Sequence, residues 1–212
     1  MSNYGNAFFS PETKQYPGSV IPVWLEVKER KIAGGTFSLS GVSKGTIFPA
    51  GMPVRLDKMG GTVTILPTFE VQEAVVAASS TSLVLKPLAG VAPAEDMILG
   101  KMTSAGVAAK AAALGEPTYD STEGTYTFTI TAGDFGALAV GDILVVVSAA
   151  GANKAAVLPN GLSWRQVVVD SDNATLGTIA VVTKGQVLGD RIPQMPDYYK
   201  DALKGITFEY ES

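Results

Sequence analysis

The 212-residue sequence contains neither cysteine nor histidine. Without cysteine there is no disulfide framework, no thiolate zinc site and no cysteine nucleophile. Without histidine, the commonest general base near neutral pH and the commonest transition-metal ligand are both missing. Ser-His-Asp triads and histidine metal sites are excluded outright. Chemistries built on carboxylates, lysine, tyrosine or a Ser-Lys pair remain. Charge is sparse as well, at 17% of residues, and the 16 Lys and Arg are scattered under a net charge of −4. Nucleic acid and membranes are therefore not expected as partners. The densest basic spot, Lys28, Arg30 and Lys31, reads as a solvated strand end. No apolar run reaches the roughly 18 residues of a membrane span. The opening Met1-Ser-Asn-Tyr-Gly lacks the basic start and apolar stretch of a secretory signal, so synthesis in a cytoplasm is expected.

What is present is 46% hydrophobic residues, enough for a true core in one or two domains. Their spacing is that of strands. Val23, Leu25 and Val27 alternate with Trp24, Glu26 and Lys28. Thr36 to Leu39 resumes the alternation after Gly34-Gly35, and Gly60-Gly61 turns Val54–Asp57 into Thr62–Leu66. Two further stretches, 69–75 and 82–86, complete an antiparallel meander. The clearest strand is 124–131, with Tyr126, Phe128 and Ile130 on one face and threonines on the other. The run 143–147 reads as a buried strand, and 164–169 and 175–182 as late strands. Asn160-Gly161 is a hairpin-turn signal. Helix is expected in short pieces only: Ala-rich 105–114 stopped by Gly115, one turn at 132–138, and 196–205 with Tyr199 and Leu203 on one face.

These patterns predict a mainly β protein with one or two short helices. Residues 1–20 form an arm without periodicity that carries Tyr4, Phe8, Phe9 and Tyr16. Residues 21–86 and 151–212 form an antiparallel β framework, and the Gly/Ala/Pro-rich entry at 87–93 opens a small β-barrel or sandwich module inserted over 87–150. The arm either docks on a partner or packs on its own domain.

Few constellations carry chemistry. Asp170-Ser171-Asp172-Asn173 alternates oxygen ligands as cation loops do, but position 175 is Thr and 181 is Val where glycine and glutamate would be needed. It reads as an Asx-rich turn. Glu70 and Glu73 point to opposite faces of a strand. Glu95-Asp96 is a further carboxylate pair, and a pair assembled from distant carboxylates stays open. The Asp134-Phe135-Gly136 triplet lacks the kinase context around it. Trp24 and Trp164 are either core aromatics or exposed platforms for a sugar ring. No metal and no cofactor are expected.

Five stretches resemble the head decoration and head fiber proteins of tailed bacteriophages. They are the polar N-terminal arm, Lys44-Gly-Thr-Ile-Phe-Pro-Ala-Gly-Met-Pro-Val54, Glu73-Ala-Val-Val-Ala-Ala78, Ala180-Val-Val-Thr-Lys-Gly-Gln-Val187, and the closing helix-and-strand 196–210. The likeness lies outside 87–150, which departs from the compact decoration pattern and looks like an extra module of a fiber variant. It implies a non-catalytic virion structural protein on the capsid surface. It further implies a homotrimer whose partner is the major capsid protein, with the arm residues Tyr4, Phe8, Phe9 and Tyr16 as candidate capsid contacts. Two other readings stand beside it: a carbohydrate-binding or adhesion β module that takes a host-surface glycan, and, more remotely, a carboxylate-based hydrolase.

Overall fold

A computed structural model describes residues 23–39, 42–57, 59, 61–102, 108–148, 155, 157–171 and 175–210. The architecture is mainly β, as the alternation predicts: the described residues form two antiparallel-rich sheets, a small ribbon, one short helix and a 3-10 turn. The arm residues Tyr4, Phe8, Phe9 and Tyr16 lie outside the described residues.

The first sheet is built on two long strands, β1 (Trp24–Ser38) and β14 (Leu176–Leu188), paired antiparallel. Its order continues from β14 to β12 (Gly161–Ser163), β3 (Pro53–Leu56) and β4 (Val63–Ile65). Thr36 N–H then donates to Gly61 O at 3.0 Å, and Thr36 bridges Thr62, so the two ends of the sheet meet and it curls into a half-barrel. The expected break at Gly34-Gly35 does not occur; β1 bends there without ending. Gly34 has φ +62°, and a Cβ on it would lie 2.1 Å from Ile179 O, so only glycine lets the strand turn against β14.

Bulges also overrule the simple alternation in β1. Trp24 and Glu26 face the consecutive residues Val187 and Gln186, which leaves Leu25 as the extra residue. Leu25 is accordingly 56% exposed instead of facing inward with Val23 and Val27. At the other end of the chain, the 3-10 turn Gly189–Arg191 and helix α1 (Asp197–Ala202) carry the chain back to β15 (Ile206–Glu209). This last strand runs parallel to β14, with Gly185 opposite Ile206.

The second sheet has seven strands in the order β8 (Ala108–Ala113), β7 (Ile98–Met102), β11 (Ile143–Val146), β5 (Thr68–Val71), β6 (Ser82–Pro87), β10 (Thr125–Thr129) and β9 (Pro117–Asp120). Its hydrogen bonding begins at Thr68, not at Pro87. Strands β5 and β6, expected in the framework, pair with β11 and β10 at the centre of this sheet. A two-stranded ribbon of β2 (Ile47–Phe48) and β13 (Val167–Val168) forms its own ladder and packs Phe48 into the half-barrel.

Three expectations are corrected by these pairings. The Ala-rich 105–114 stretch is strand β8 over its described part, because β7 offers it a ladder from Ile98–Ala113 to Met102–Ala108. Non-local pairing thus outweighs the helix propensity of alanine. Residues 132–138 form turns, not a helical turn: Phe135 and Leu138 drop into the core, and Asp134 Oδ2 accepts the Thr131 N–H at 2.9 Å. Asn160-Gly161 is not a hairpin turn, since Gly161 opens β12 between β14 and β3. A Cβ there would sit 2.5 Å from Val181 Cγ1, so this glycine serves close strand approach.

Three apolar clusters fill the molecule. Phe37, Phe48, Met52, Val54, Ile179 and Val181 fill the half-barrel, where Phe37 and Phe48 meet edge to face at 5.1 Å. Phe69, Leu83, Leu85, Leu99, Phe128 and Phe135 line the second sheet. A third cluster joins the two sheets: Val145 and Val147 pack with Leu162, Val182, Tyr199 and Leu203. Fully burying each such side chain contributes about 1.5–3 kcal/mol.

Candidate interaction surface

The half-barrel sheet places two arginines and two tryptophans together. Arg30 and Leu162 both stand opposite Val182 of β14, from either side, so they share its face. Ala180 and Trp164 follow two residues on along that face, and Trp164 N–H donates to Ala180 O at 2.9 Å. Ala180 is small, which lets the Arg30 side chain cross β14 and lie on the Trp164 ring with its Cζ 3.6 Å from the centroid. Arg165 Cζ lies 3.9 Å from the same centroid. Planar groups in contact sit about 3.5 Å apart, so two guanidiniums this close cannot share a ring face. They cover opposite faces of Trp164, each held by the quadrupole of the indole. Trp24 locks the assembly from below: its Nε1–H donates to Trp164 O at 2.9 Å.

Both tryptophans are half-buried. The sequence left open whether they stack a sugar, but Trp164 has no free face for one. Around the stack, charge is cancelled pairwise. Lys28 Nζ meets Glu26 at 3.3 Å and Lys184 Nζ meets Glu29 at 2.9 Å. The basic spot at Lys28, Arg30 and Lys31 lies within β1 and not at a strand end: Lys28 pairs with Glu26, and Arg30 is turned onto Trp164.

A cleft of about 450 Å³ opens between α1 and the second sheet, lined among others by Lys101, Asp142, Asp197, Tyr198 and Asp201. Its chemistry is spoken for by structure. Lys101 Nζ reaches both Asp142 oxygens at 2.7 Å, and Asp142 Oδ2 also accepts the Ala139 N–H at 2.8 Å, fastening the 131–142 loop to β7. Lys200 Nζ sits 3.2 Å from Asp197 and 5.5 Å from the Tyr210 ring. Burial works against its ammonium, but hydrogen bonds to Tyr210 and Asp197 prevail and hold its pKa above the ordinary lysine value. Tyr199 beneath it is buried, which pushes its phenol pKa well up.

Glu70 stands on β5 opposite Lys86 and Ile143, Asp96 occupies a turn with φ +62°, and Asp172 and Asn173 lie outside the described residues. Among the described residues no group of three or more Asp and Glu is placed to hold a metal ion.

Two apolar features face outward. Tyr119 on the edge strand β9 lies 4.7 Å from Tyr126 on β10, tilted by 35°, and is 56% exposed. Burial, then the neighbouring Tyr119, raises the Tyr126 pKa. On the ribbon, Ile47 and Val168 are cross-strand partners, 50% and 42% exposed. Among the described residues β8 and β9 each leave one backbone edge without a strand partner, and the outer edge of β1 is met only at Thr36, by Gly61 and Thr62. Sequence reasoning missed Arg165 and its junction with Arg30. The two lie 135 positions apart, and only the pairing of β1 and β12 on either side of β14 brings them together. No family model, curated protein or solved structure matches the chain.

Proposed function

We propose that this chain is a non-catalytic virion structural protein, a decoration or fiber protein of a tailed-phage head, and that it assembles as a homotrimer on the capsid surface. The resemblance of the five framework stretches is the ground for the family. The observation on the structure that best supports assembly is the set of open strand edges among the described residues, on β8, β9 and the part of β1 before Thr36. Open edges are a liability in a lone monomer, and subunit association covers them. The paired, outward Ile47 and Val168 add an apolar contact of the same kind.

In this reading the major capsid protein is the partner of the arm, through Tyr4, Phe8, Phe9 and Tyr16. Mass spectrometry of purified particles tests the proposal: the chain is expected at a fixed ratio to the shell protein. Deleting residues 2–18 should leave a folded protein that no longer attaches. Absence of the chain from particles would end the proposal, and attachment without the arm would end the arm's role in it.

A second reading rests on the Tyr119–Tyr126 pair, an exposed aromatic platform of the sort that stacks sugar rings. A glycan array probed with the wild-type chain and Tyr119→Ala separates the two. Saturable glycan binding lost in Tyr119→Ala would favour an adhesion module.

A further inference from the structure

We infer that Asn160-Gly161 is a self-modification site held shut by the fold: in an unfolded chain it converts to isoaspartate with water as the co-reactant, and the converted chain cannot regain the half-barrel. The inference does not depend on the phage reading.

The chemistry is local to the dipeptide. The backbone nitrogen of Gly161 attacks Asn160 Cγ and gives up its proton. The new C–N bond closes a five-membered succinimide, and the side-chain nitrogen leaves as ammonia. Water then opens the ring at either carbonyl. One opening gives aspartate. The other gives isoaspartate, in which the main chain runs through Cβ and Cγ and the old α-carbonyl is a free carboxylate. The attack needs the peptide to rotate until its nitrogen faces Cγ, which a following side chain hinders and a glycine permits. The other four asparagines, Asn3, Asn6, Asn153 and Asn173, are followed by Tyr, Ala, Lys and Ala.

The fold takes both reacting atoms out of reach of each other. Asn160 Oδ1 accepts the Leu56 N–H at 2.8 Å and Nδ2 donates to Leu56 O at 2.9 Å, so Cγ is pinned against β3. The peptide that would have to rotate is fixed on either side. Asn160 N–H donates to Val54 O at 3.1 Å, and Gly161 pairs with Val54 as the first residue of β12. Gly161 is buried there so tightly that a Cβ would lie 2.5 Å from Val181 Cγ1 and 2.8 Å from Val182 O. Ring closure therefore waits on the release of β12 from β3 and β14, in the middle of the first sheet and not at a fraying edge.

Isoaspartate does not fit the place it leaves. It lengthens the main chain by one C–C bond, about 1.5 Å, at the entry to a three-residue strand. Strand β12 then cannot meet Val54 on one side and Val182 on the other in register. Ser163, whose Oγ accepts the Met52 N–H at 2.9 Å and donates to Pro49 O at 2.8 Å, is displaced with it. The amide is gone, so Leu56 N–H and O lose their partners, and the new carboxylate lies beside the Val54 and Leu56 carbonyls, which repel it. Time spent unfolded is thus recorded in a change that refolding does not reverse.

The test uses the whole chain, kept at mildly alkaline pH in plain buffer and, in parallel, in guanidinium chloride. Mass spectrometry follows the tryptic peptide 155–165, which holds Asn160 and no other asparagine. Isoaspartate at position 160 is expected in denaturant, forming at least tenfold faster than in buffer and at least tenfold faster than at the other four asparagines. After dilution of the denaturant, the folded fraction should be depleted of isoaspartate at least tenfold against the unfolded fraction. Asn160→Asp carries the new charge without the added backbone, and it should fold with a lowered midpoint. No isoaspartate in denaturant, or equal rates in buffer and denaturant, would overturn the inference. Isoaspartate shared equally between folded and unfolded fractions would overturn the block to refolding. An Asn160→Asp chain that fails to fold would overturn the part assigned to the lengthened backbone.

Discussion

Asn160 completes the backbone pairing of Leu56 from 104 residues away: its Oδ1 accepts the Leu56 N–H at 2.8 Å and its Nδ2 donates to Leu56 O at 2.9 Å. Strand β3 ends at Leu56, where β12 has only begun, and the asparagine amide supplies the donor and acceptor that a paired strand residue would have offered. Asn160→Ala should strip both partners from a residue that is only 3% exposed. Leaving buried backbone groups unpaired costs about 1–3 kcal/mol each. Since Asn160 is half-buried and water can reach part of the gap, a loss of about 2–3 kcal/mol is expected. Asn160→Asp keeps the acceptor and loses the donor, so it should fall between. Urea unfolding checks this as a lowered midpoint at unchanged slope; an unchanged midpoint in the alanine variant would refute the pairing role.

Thr68 presents the opposite case. It is fully buried in β5 at the centre of the second sheet, and its Oγ1 has no hydrogen-bond partner among the described residues. A buried hydroxyl without a partner forfeits its hydration for nothing. Thr68→Val replaces it with a methyl of similar size and keeps the β-branched shape the strand prefers. A gain of about 1 kcal/mol is expected, read as a higher melting temperature. A destabilised variant would mean that the hydroxyl is satisfied.

How far the sequence foretells this fold depends on whether a signal is local. Phe128 and Ile130 do share the inward face, because strict alternation over one strand needs no knowledge of the neighbours; Phe128 is fully buried and Ile130 8% exposed, while Tyr126 is only partly buried beside Tyr119. The helix at 197–202 and the final strand are legible for the same reason. Alternation fails at Leu25, where a bulge set by the partner strand turns the side chain outward. It fails at 108–113, where alanine carries no face pattern and the edge of β7 decides. Asn160-Gly161 carries a strong local turn signal, while the reason for its glycine, contact with Val181, lies 20 residues on. The arginine stack belongs to this last kind: no property of Arg30 or Arg165 taken singly announces it.

Tyr199 ties stability to alkaline pH. Its phenol is buried and its pKa stands above the ordinary value of about 10. Above that value the unfolded chain releases the proton while the folded chain keeps it, so the folded state binds more protons and stability falls as pH rises. Below the ordinary value both states are neutral and the phenol adds no pH dependence. The slope approaches about 1.4 kcal/mol per pH unit for this one group. Lys200 and Tyr126, whose pKa values are also raised, act in the same direction and window. Tyr199→Phe should therefore make the loss of stability above pH 10 shallower without abolishing it. Denaturant midpoints from pH 8 to 11 check this, and identical slopes in both proteins would show that Tyr199 is not the group responsible.

The order of the second sheet predicts where the chain can be cut. Strands β5 and β6 sit between β11 and β10, so the segment 87–148 alone keeps β8-β7-β11 on one side and β10-β9 on the other, with the two strands that join them missing. It would also lose Phe69, Val71, Leu83 and Leu85 from the cluster that lines the sheet. At about 1.5–3 kcal/mol for each such side chain, the loss is comparable with the whole stability of a small domain, about 5–15 kcal/mol. The fragment 87–148 is therefore expected to be unfolded. The fragment 67–148 retains all seven strands and should fold, with a lower melting temperature than the full chain because Val145 and Val147 lose their partners Leu162, Val182 and Tyr199. Amide dispersion in NMR spectra of the two fragments distinguishes them. A dispersed spectrum from 87–148 would show that the unit is autonomous without β5 and β6. A collapsed spectrum from 67–148 would show instead that the shared cluster at Val145 and Val147 makes the two sheets one cooperative body.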